Sequence, residues 1–170
     1  MASARDAVAL VMAGSVRTLR TRRDMRSLGA AIARVLAPGD LAILSGEMGA
    51  GKTFLVRSIA RGLGTDARVT SPTFALVHEY ATRRGLLLHA DLHRLHGLPG
   101  AHADARPLSA QVAALGLRER RGEGALVVVE WGEDAVEALG GRPALTVLLA
   151  IAGLSARAVT LSGPRAGDIV

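Results

Sequence analysis

The sequence predicts an α/β fold, and three stretches carry that prediction. Leu41 to Leu44 is a short apolar run suited to a buried strand; a glycine-rich turn follows it, then apolar residues at helical spacing. Leu86-Leu87-Leu88-His89-Ala90 and Ala125-Leu126-Val127-Val128-Val129 are two further apolar runs, ending in Asp91 and in Glu130-Trp131. An acid at the carboxyl end of a buried strand emerges at the edge where α/β sheets bind ligands.

The other elements follow in order. Ala7 to Ala13 imitates the apolar part of a signal peptide, but Asp6 interrupts it and Arg17, Arg20, Arg22 and Arg23 follow, so residues 1–15 read as a flexible extension. Val16 to Leu19 is expected as a first strand. Thr21 and Asp24 form an N-cap pair for a helix with Met25, Leu28, Ile32, Val35 and Leu36 on one face, and Pro38-Gly39-Asp40 ends it in a turn. After the glycine-rich turn, Leu55, Val56, Ile59, Ala60 and Leu63 define a second helix capped near Gly62 and Gly64. Val69 to Phe74 is a loop in which Pro72 holds Ser71 extended. Ala75 to Tyr80 and Leu86 to Asp91 read as strands around the polar turn 81–85. Gly97 to Gly124 is irregular except for a helix over Ser109 to Glu119 containing Val112 and Leu115. Strands are expected at Leu145 to Ala150 and Arg157 to Leu161, joined near Gly153. The domain thus runs over 16–162, and 163–170 is a short, frayed tail ending at Val170.

Composition bounds the function. A chain of 170 residues fits one domain, and with 2% aromatics among 49% hydrophobic residues its core is built from Ala, Val, Leu and Ile. The net charge of +6 suits an anionic partner such as nucleotide plus RNA, although an arginine-for-lysine bias weakens that inference. Without cysteine there is no disulfide or thiolate metal site. No apolar run reaches the roughly 18 residues of a spanning helix, so no membrane association and a cytoplasmic location are expected. The five arginines of Arg17 to Arg26 read as a solvated face in preference to an RNA- or partner-facing patch.

The glycine-rich turn is the most informative stretch. Gly46, Gly51, Lys52 and Thr53 fill the G-x-x-x-x-G-K-[ST] phosphate-binding pattern, and residues Gly46, Glu47, Met48, Gly49, Ala50, Gly51, Lys52, Thr53 and Phe54 are the candidate nucleotide cradle. Backbone N–H groups and the positive helix end surround one anion there. Lys52 would reach the β- and γ-phosphates of ATP, and the Thr53 hydroxyl would ligate Mg²⁺. Of 21 Lys plus Arg, Lys52 is the only lysine, and a planar guanidinium is a poor replacement for its compact ammonium. The Ser71-Pro72-Thr73-Phe74 loop lies where such proteins place a γ-phosphate-sensing switch. Spacing leaves open which of Asp91 and Glu130 holds the metal. GTP is disfavoured, because a guanine-reading Asn/Thr-Lys-x-Asp segment would need a second lysine. Zinc is not expected: His89, His93 and His96 straddle a strand end, where side chains alternate. A small kinase phosphorylating a metabolite is the alternative, with Arg118, Arg120 and Arg121 as a lid.

Four segments in this order resemble the TsaE (YjeE) family, the small P-loop ATPases of bacterial tRNA threonylcarbamoyladenosine synthesis. They are Gly46-Glu-Met-Gly-Ala-Gly-Lys-Thr53, Ser71-Pro-Thr-Phe74 followed by Tyr80, His89-Ala-Asp-Leu-His-Arg94, and Glu130-Trp131. His93 stands where the family usually has Tyr, and Gly132 where it has Pro. The first departure is expected to alter a partner or RNA contact, the second to loosen the loop after Trp131. The resemblance implies a three-layer P-loop NTPase-like α/β fold with a mixed, mainly parallel sheet. It implies that Thr53 and Glu130 surround Mg²⁺, that Asp91 lies near the γ-phosphate or attacking water, and that Thr73 belongs to the sensing loop. It also implies that adenine lies between Arg22 and the Gly153 turn. The implied role is an ATPase, slow alone and stimulated by partners, that drives the TsaB–TsaD complex through its cycle of modification at tRNA position 37, with tRNA reached indirectly through that complex.

Overall fold

A computed structural model describes residues 16–72, 75–96 and 106–169. Seven strands form one sheet: β1 (Val16–Leu19), β2 (Leu41–Ser45), β3 (Val77–Thr82), β4 (Gly85–Asp91), β5 (Leu126–Glu130), β6 (Leu145–Ile151) and β7 (Arg157–Ser162). Their spatial order is β1-β7-β6-β2-β5-β4-β3. The centre is parallel, with β2 between β5 and β6 and β4 beside β5, whereas β1, β3 and β7 add antiparallel pairings towards the edges. The sheet is therefore mixed, with its parallel part confined to the four strands that position the site.

Helices cover both faces. On one lie α1 (Arg22–Val35) and α2 (Lys52–Gly62); on the other lie α3 (Leu108–Ala113) and α4 (Leu117–Gly122). Period-two alternation within the central strands feeds both cores. Ala42 and Leu44 of β2 face the α1–α2 core with Val128, whereas Leu41 and Ile43 face the opposite core with Val127 and Val129. Burial on both faces is why these strands are uniformly apolar. Met25, Leu28, Ile32 and Leu36 anchor α1 in its core, each contributing roughly 1.5–3 kcal/mol.

Thr21 caps α1 as a reciprocal box: its hydroxyl accepts from Asp24 N, and the Asp24 carboxylate accepts from the Thr21 and Arg20 amides. The helix expected over Ser109 to Glu119 is instead two short ones. Gly116 stands between them at φ 66°, a left-handed conformation that breaks the i→i−4 ladder. The expected fraying of the tail is also corrected for residues 163–169. Ile169 is buried in the α1–α2 core, its carbonyl accepts from Arg17, and Arg165 pairs with Asp40. An apolar residue near the chain end docks where a core vacancy exists, whatever its position in sequence. Residues 1–15, residues 97–105 of the expected irregular stretch, and Val170 lie outside the described residues. No helix among the described residues is long and apolar enough to cross a membrane.

Candidate functional site

The parallel register places the carboxyl ends of β2, β4 and β5 side by side. Leu44 is opposite Glu130, and Glu130 is opposite Asp91. The turn leaving β2 therefore rises beside both strand-end acids. It enters α2 through Gly51, which is left-handed at φ 104°, and it leaves the strand through Gly46 at φ 134°. A Cβ on Gly46 would lie 2.1 Å from the Leu149 carbonyl oxygen, so the turn packs against β6 only with glycine there. Ala50 is fully buried beneath it, whereas Met48 is 72% exposed at its tip.

A cleft of about 360 Å³ opens above this edge, lined among others by Lys52, Thr53, Ser71, Asp91, Glu130 and Trp131. Lys52 is only 5% exposed. Its ammonium donates to the Gly46 and Glu47 carbonyls and lies 4.0 Å from the centre of the Trp131 ring. Burial holds its pKa below the ordinary lysine value, opposed chiefly by the Glu130 carboxylate. Trp131 adopts φ 61° to present that ring, a conformation costing about 1–3 kcal/mol that marks functional sites. The His93 ring packs against Trp131 at 4.8 Å between centroids. His93 thus supports the platform beside Lys52.

Thr53 Oγ1 donates to the Glu130 carboxylate, at 2.9 Å from one oxygen and 3.2 Å from the other. Hydroxyl and carboxylate are the hard oxygen donors that Mg²⁺ takes, and here they converge, so the residues present fit that ion. Asp91 faces the same cleft, with Ser71 Oγ donating to one of its oxygens at 3.1 Å and the His93 amide to the other at 3.1 Å. The structure thus separates the two acids by their surroundings: Glu130 is buried against Thr53, and Asp91 is held by donors at the cleft wall.

Two residues outside the expected set complete the arrangement. His89, fully buried, places Nε2 2.8 Å from Glu130 Oε1, while its Nδ1 is buried with no hydrogen-bond partner among the described residues. The tautomer that leaves the cheaper orphan, an acceptor, carries its hydrogen on Nε2 and donates it to Glu130. The sequence signals were the odd histidine within an apolar strand and its place at the head of the segment His89 to Arg94. Arg157 of β7 donates to the Ala50 and Gly49 carbonyls of the turn and to the Gly153 and Ala156 carbonyls of the β6–β7 turn. It ties Gly153 to the phosphate loop, and Glu47 adds a second tie by accepting from the Ile151 amide.

Other expected residues stand as follows. Arg22 is exposed at the first position of α1, whose Arg26 guanidinium lies 5.7 Å over the Phe54 ring. Thr73 and Phe74 lie outside the described residues. Gly132, expected to loosen its loop, is buried, and a Cβ there would come within 2.9 Å of the Ile43 and Val129 side chains. Two of the three arginines considered as a lid are engaged elsewhere: Arg120 pairs with Glu79, and Arg121 donates to the Gly39, Leu139 and Gly141 carbonyls.

Comparison with known proteins identifies relatives of the whole domain. The family model for threonylcarbamoyl adenosine biosynthesis protein TsaE matches residues 19–158. The chain is 41% identical to the tRNA threonylcarbamoyladenosine biosynthesis protein TsaE of Streptomyces coelicolor, over 68% of this chain and 72% of that one. It is 38% identical to that of Mycobacterium bovis, over 76% and 75%, and 33% identical to that of Treponema pallidum, over 78% and 87%. The crystal structure of Bacillus subtilis YdiB superposes with a TM-score of 0.67 at 25% identity, covering 91% of this chain and 90% of that one. Since the match takes in the phosphate loop, both strand-end acids and the strands that align them, the chain belongs to the TsaE family.

Proposed function

We propose that this protein is the ATP-binding and hydrolysing accessory component of tRNA threonylcarbamoyladenosine synthesis, driving the TsaB–TsaD complex through its cycle. The observation that carries the reading is the convergence of Lys52, Thr53, Glu130 and Asp91 on one cleft at the head of α2. ATP phosphates would take the N–H groups of residues 46–53, and Lys52 would exchange the Gly46 and Glu47 carbonyls for β/γ oxygens. Thr53 and Glu130 would hold Mg²⁺, which neutralises phosphate charge when bound. His89 keeps the Glu130 carboxylate aimed at Thr53. Asp91, fixed by Ser71 and the His93 amide, would orient the attacking water. Thr73 would sense the γ-phosphate from the loop after Ser71, and adenine would lie between Arg22 and the Gly153 turn. The carbamoyl transfer belongs to the partners.

Phosphate release measured with and without TsaB and TsaD tests this reading. Slow hydrolysis alone and acceleration by the pair are expected, with tRNA modification dependent on both. Fast hydrolysis unchanged by the partners would remove the accessory role, and ATP-dependent phosphorylation of a small metabolite would assign a kinase instead.

A further inference from the structure

A second, larger cleft of about 910 Å³ lies on the α1–α2 face, and its lining includes five arginines, Arg26, Arg57, Arg61, Arg68 and Arg83, against one acid, Asp66. They come from four segments: α1 gives Arg26, α2 gives Arg57 and Arg61 one turn apart, the loop after α2 gives Arg68, and the β3–β4 turn gives Arg83. All five are exposed. The arginine–carboxylate pairs among the described residues are Arg120–Glu79 and Arg165–Asp40, so no described carboxylate pairs with any of the five. Five arginines and one aspartate leave four net positive charges here, out of +6 for the whole chain.

A protein interface centres on desolvated aromatic and aliphatic anchors as well as arginine. The large exposed apolar residues are Val16, Met48, Ile151 and Leu154, and none lines this cleft. Its walls between the arginines are mostly small, with Ala30, Ser58, Gly62 and Gly64 among them. Guanidinium forks on a concave surface whose larger apolar side chains are confined to Phe54 and Val69 match phosphate oxygens spaced along a polynucleotide. We propose that this cleft binds the sugar–phosphate backbone of RNA directly, the polymer class named in the matched relatives. The inference goes beyond the nucleotide-site reading and does not depend on it. Phe54 lines both clefts, so bound RNA would lie alongside bound nucleotide.

The test uses the full chain and a fluorescein-labelled tRNA transcript, followed by anisotropy from about 50 to 200 mM salt. Neutralising four phosphates predicts an affinity loss of about 10²-fold across that range. Arg61→Gln with Arg68→Gln removes two contacts, so tRNA binds more weakly and the loss shrinks to about tenfold. Arg118→Gln with Arg142→Gln removes the same charge from outside the cleft and should behave as the unaltered chain. Unchanged ATP titration reports that each variant is folded, and Lys52→Ala should still bind tRNA, separating this surface from the nucleotide site. The proposal is overturned by absence of tRNA binding at the lowest salt, or by equal losses from the two double variants. Binding of a polyglutamate peptide in place of tRNA would also overturn it, assigning the cleft to an acidic protein.

Discussion

Replacing His89 by Leu tests how much of the site depends on a fully buried residue beneath the cleft. The imidazole is fully buried and its Nε2 lies 2.8 Å from Glu130 Oε1, while Glu130 itself is 3% exposed. A hydrogen bond to a charged group contributes about 1.5–3 kcal/mol net, and breaking a fully buried ion pair costs about 3–5 kcal/mol. Glu130 would keep Thr53 Oγ1 as a donor to both its oxygens, so the lower range applies. The expected loss is about 2–3 kcal/mol, or roughly 4–12 °C in Tm for a chain of this size. Urea unfolding of the single variants and of His89→Leu combined with Glu130→Gln gives the coupling directly. It should reach about 1.5 kcal/mol, because removing the charge relieves the carboxylate left unpaired. His89→Gln, which retains a donor, should recover part of the loss. A His89→Leu penalty below about 0.5 kcal/mol, with no coupling to Glu130, would refute the view that the imidazole holds the metal-binding carboxylate.

Further outcomes follow from the same geometry. Lys52→Ala should abolish productive ATP binding, since no other lysine exists in the chain; near-normal affinity in a titration would sink the phosphate-loop assignment. Glu130→Gln should weaken Mg²⁺-dependent nucleotide binding, whereas Asp91→Asn should bind ATP and fail to release phosphate, and the reverse pattern would mean the two roles are exchanged. Arg157→Met frees the Gly49 and Ala50 carbonyls from the β6–β7 turn and should weaken ATP binding by about 5–30-fold, equivalent to 1–2 kcal/mol, without unfolding the sheet as seen by circular dichroism. The Arg20 and then the Thr21 amides hold the Asp24 carboxyl below its ordinary pKa. Its contribution is therefore present above the unfolded value of 3.8 and lost as pH falls through the folded one, so Asp24→Asn should flatten the acid limb of a Tm-against-pH profile.

The parts of this molecule legible in sequence are those set by local pattern. Strands β2, β4 and β5 were legible because burial on both faces demands uninterrupted apolar runs, and α1 because its cap pair and apolar face agree. The phosphate loop was legible because its glycines and lysine are contiguous. What escaped depends on tertiary register. Nothing near Arg157 in the chain says that its guanidinium spans from one turn to another, with acceptors at residues 49, 50, 153 and 156. His89 invited a search for a metal because histidines recur at 93 and 96, yet the three diverge. His89 points into the core at Glu130, His93 packs on Trp131, and His96 lies 2.9 Å from the Trp131 carbonyl oxygen. The arginine cleft was equally invisible. The five arginines dense in sequence, Arg17 to Arg26, contribute only Arg26 to it, and the other four are brought there by α2 and two turns.

The distribution of arginines also bears on the proposed dependence of hydrolysis on partners. Among the described residues lining the cleft at the head of α2, Lys52 is the sole cation bearing permanent charge, and no arginine lines it. Arg157, the arginine bound to the phosphate loop, spends its donors on backbone carbonyls, and Arg120 and Arg121 are fixed to Glu79 and to the turns around Gly39 and Gly141. Lys52 is itself parked on two carbonyls and the Trp131 face, in surroundings that disfavour its charge. Such a site holds one ammonium whose charge is already offset by Glu130, Glu133, Asp91 and Glu47. It has little left to offset the charge that spreads over the transferred phosphoryl group, where a guanidinium supplied in trans is worth about 10³–10⁵ in rate. Under the proposed function, holding ATP without spending it is what a partner-triggered ATPase requires, and the ties of Arg157, Arg120 and Arg121 fit that reading.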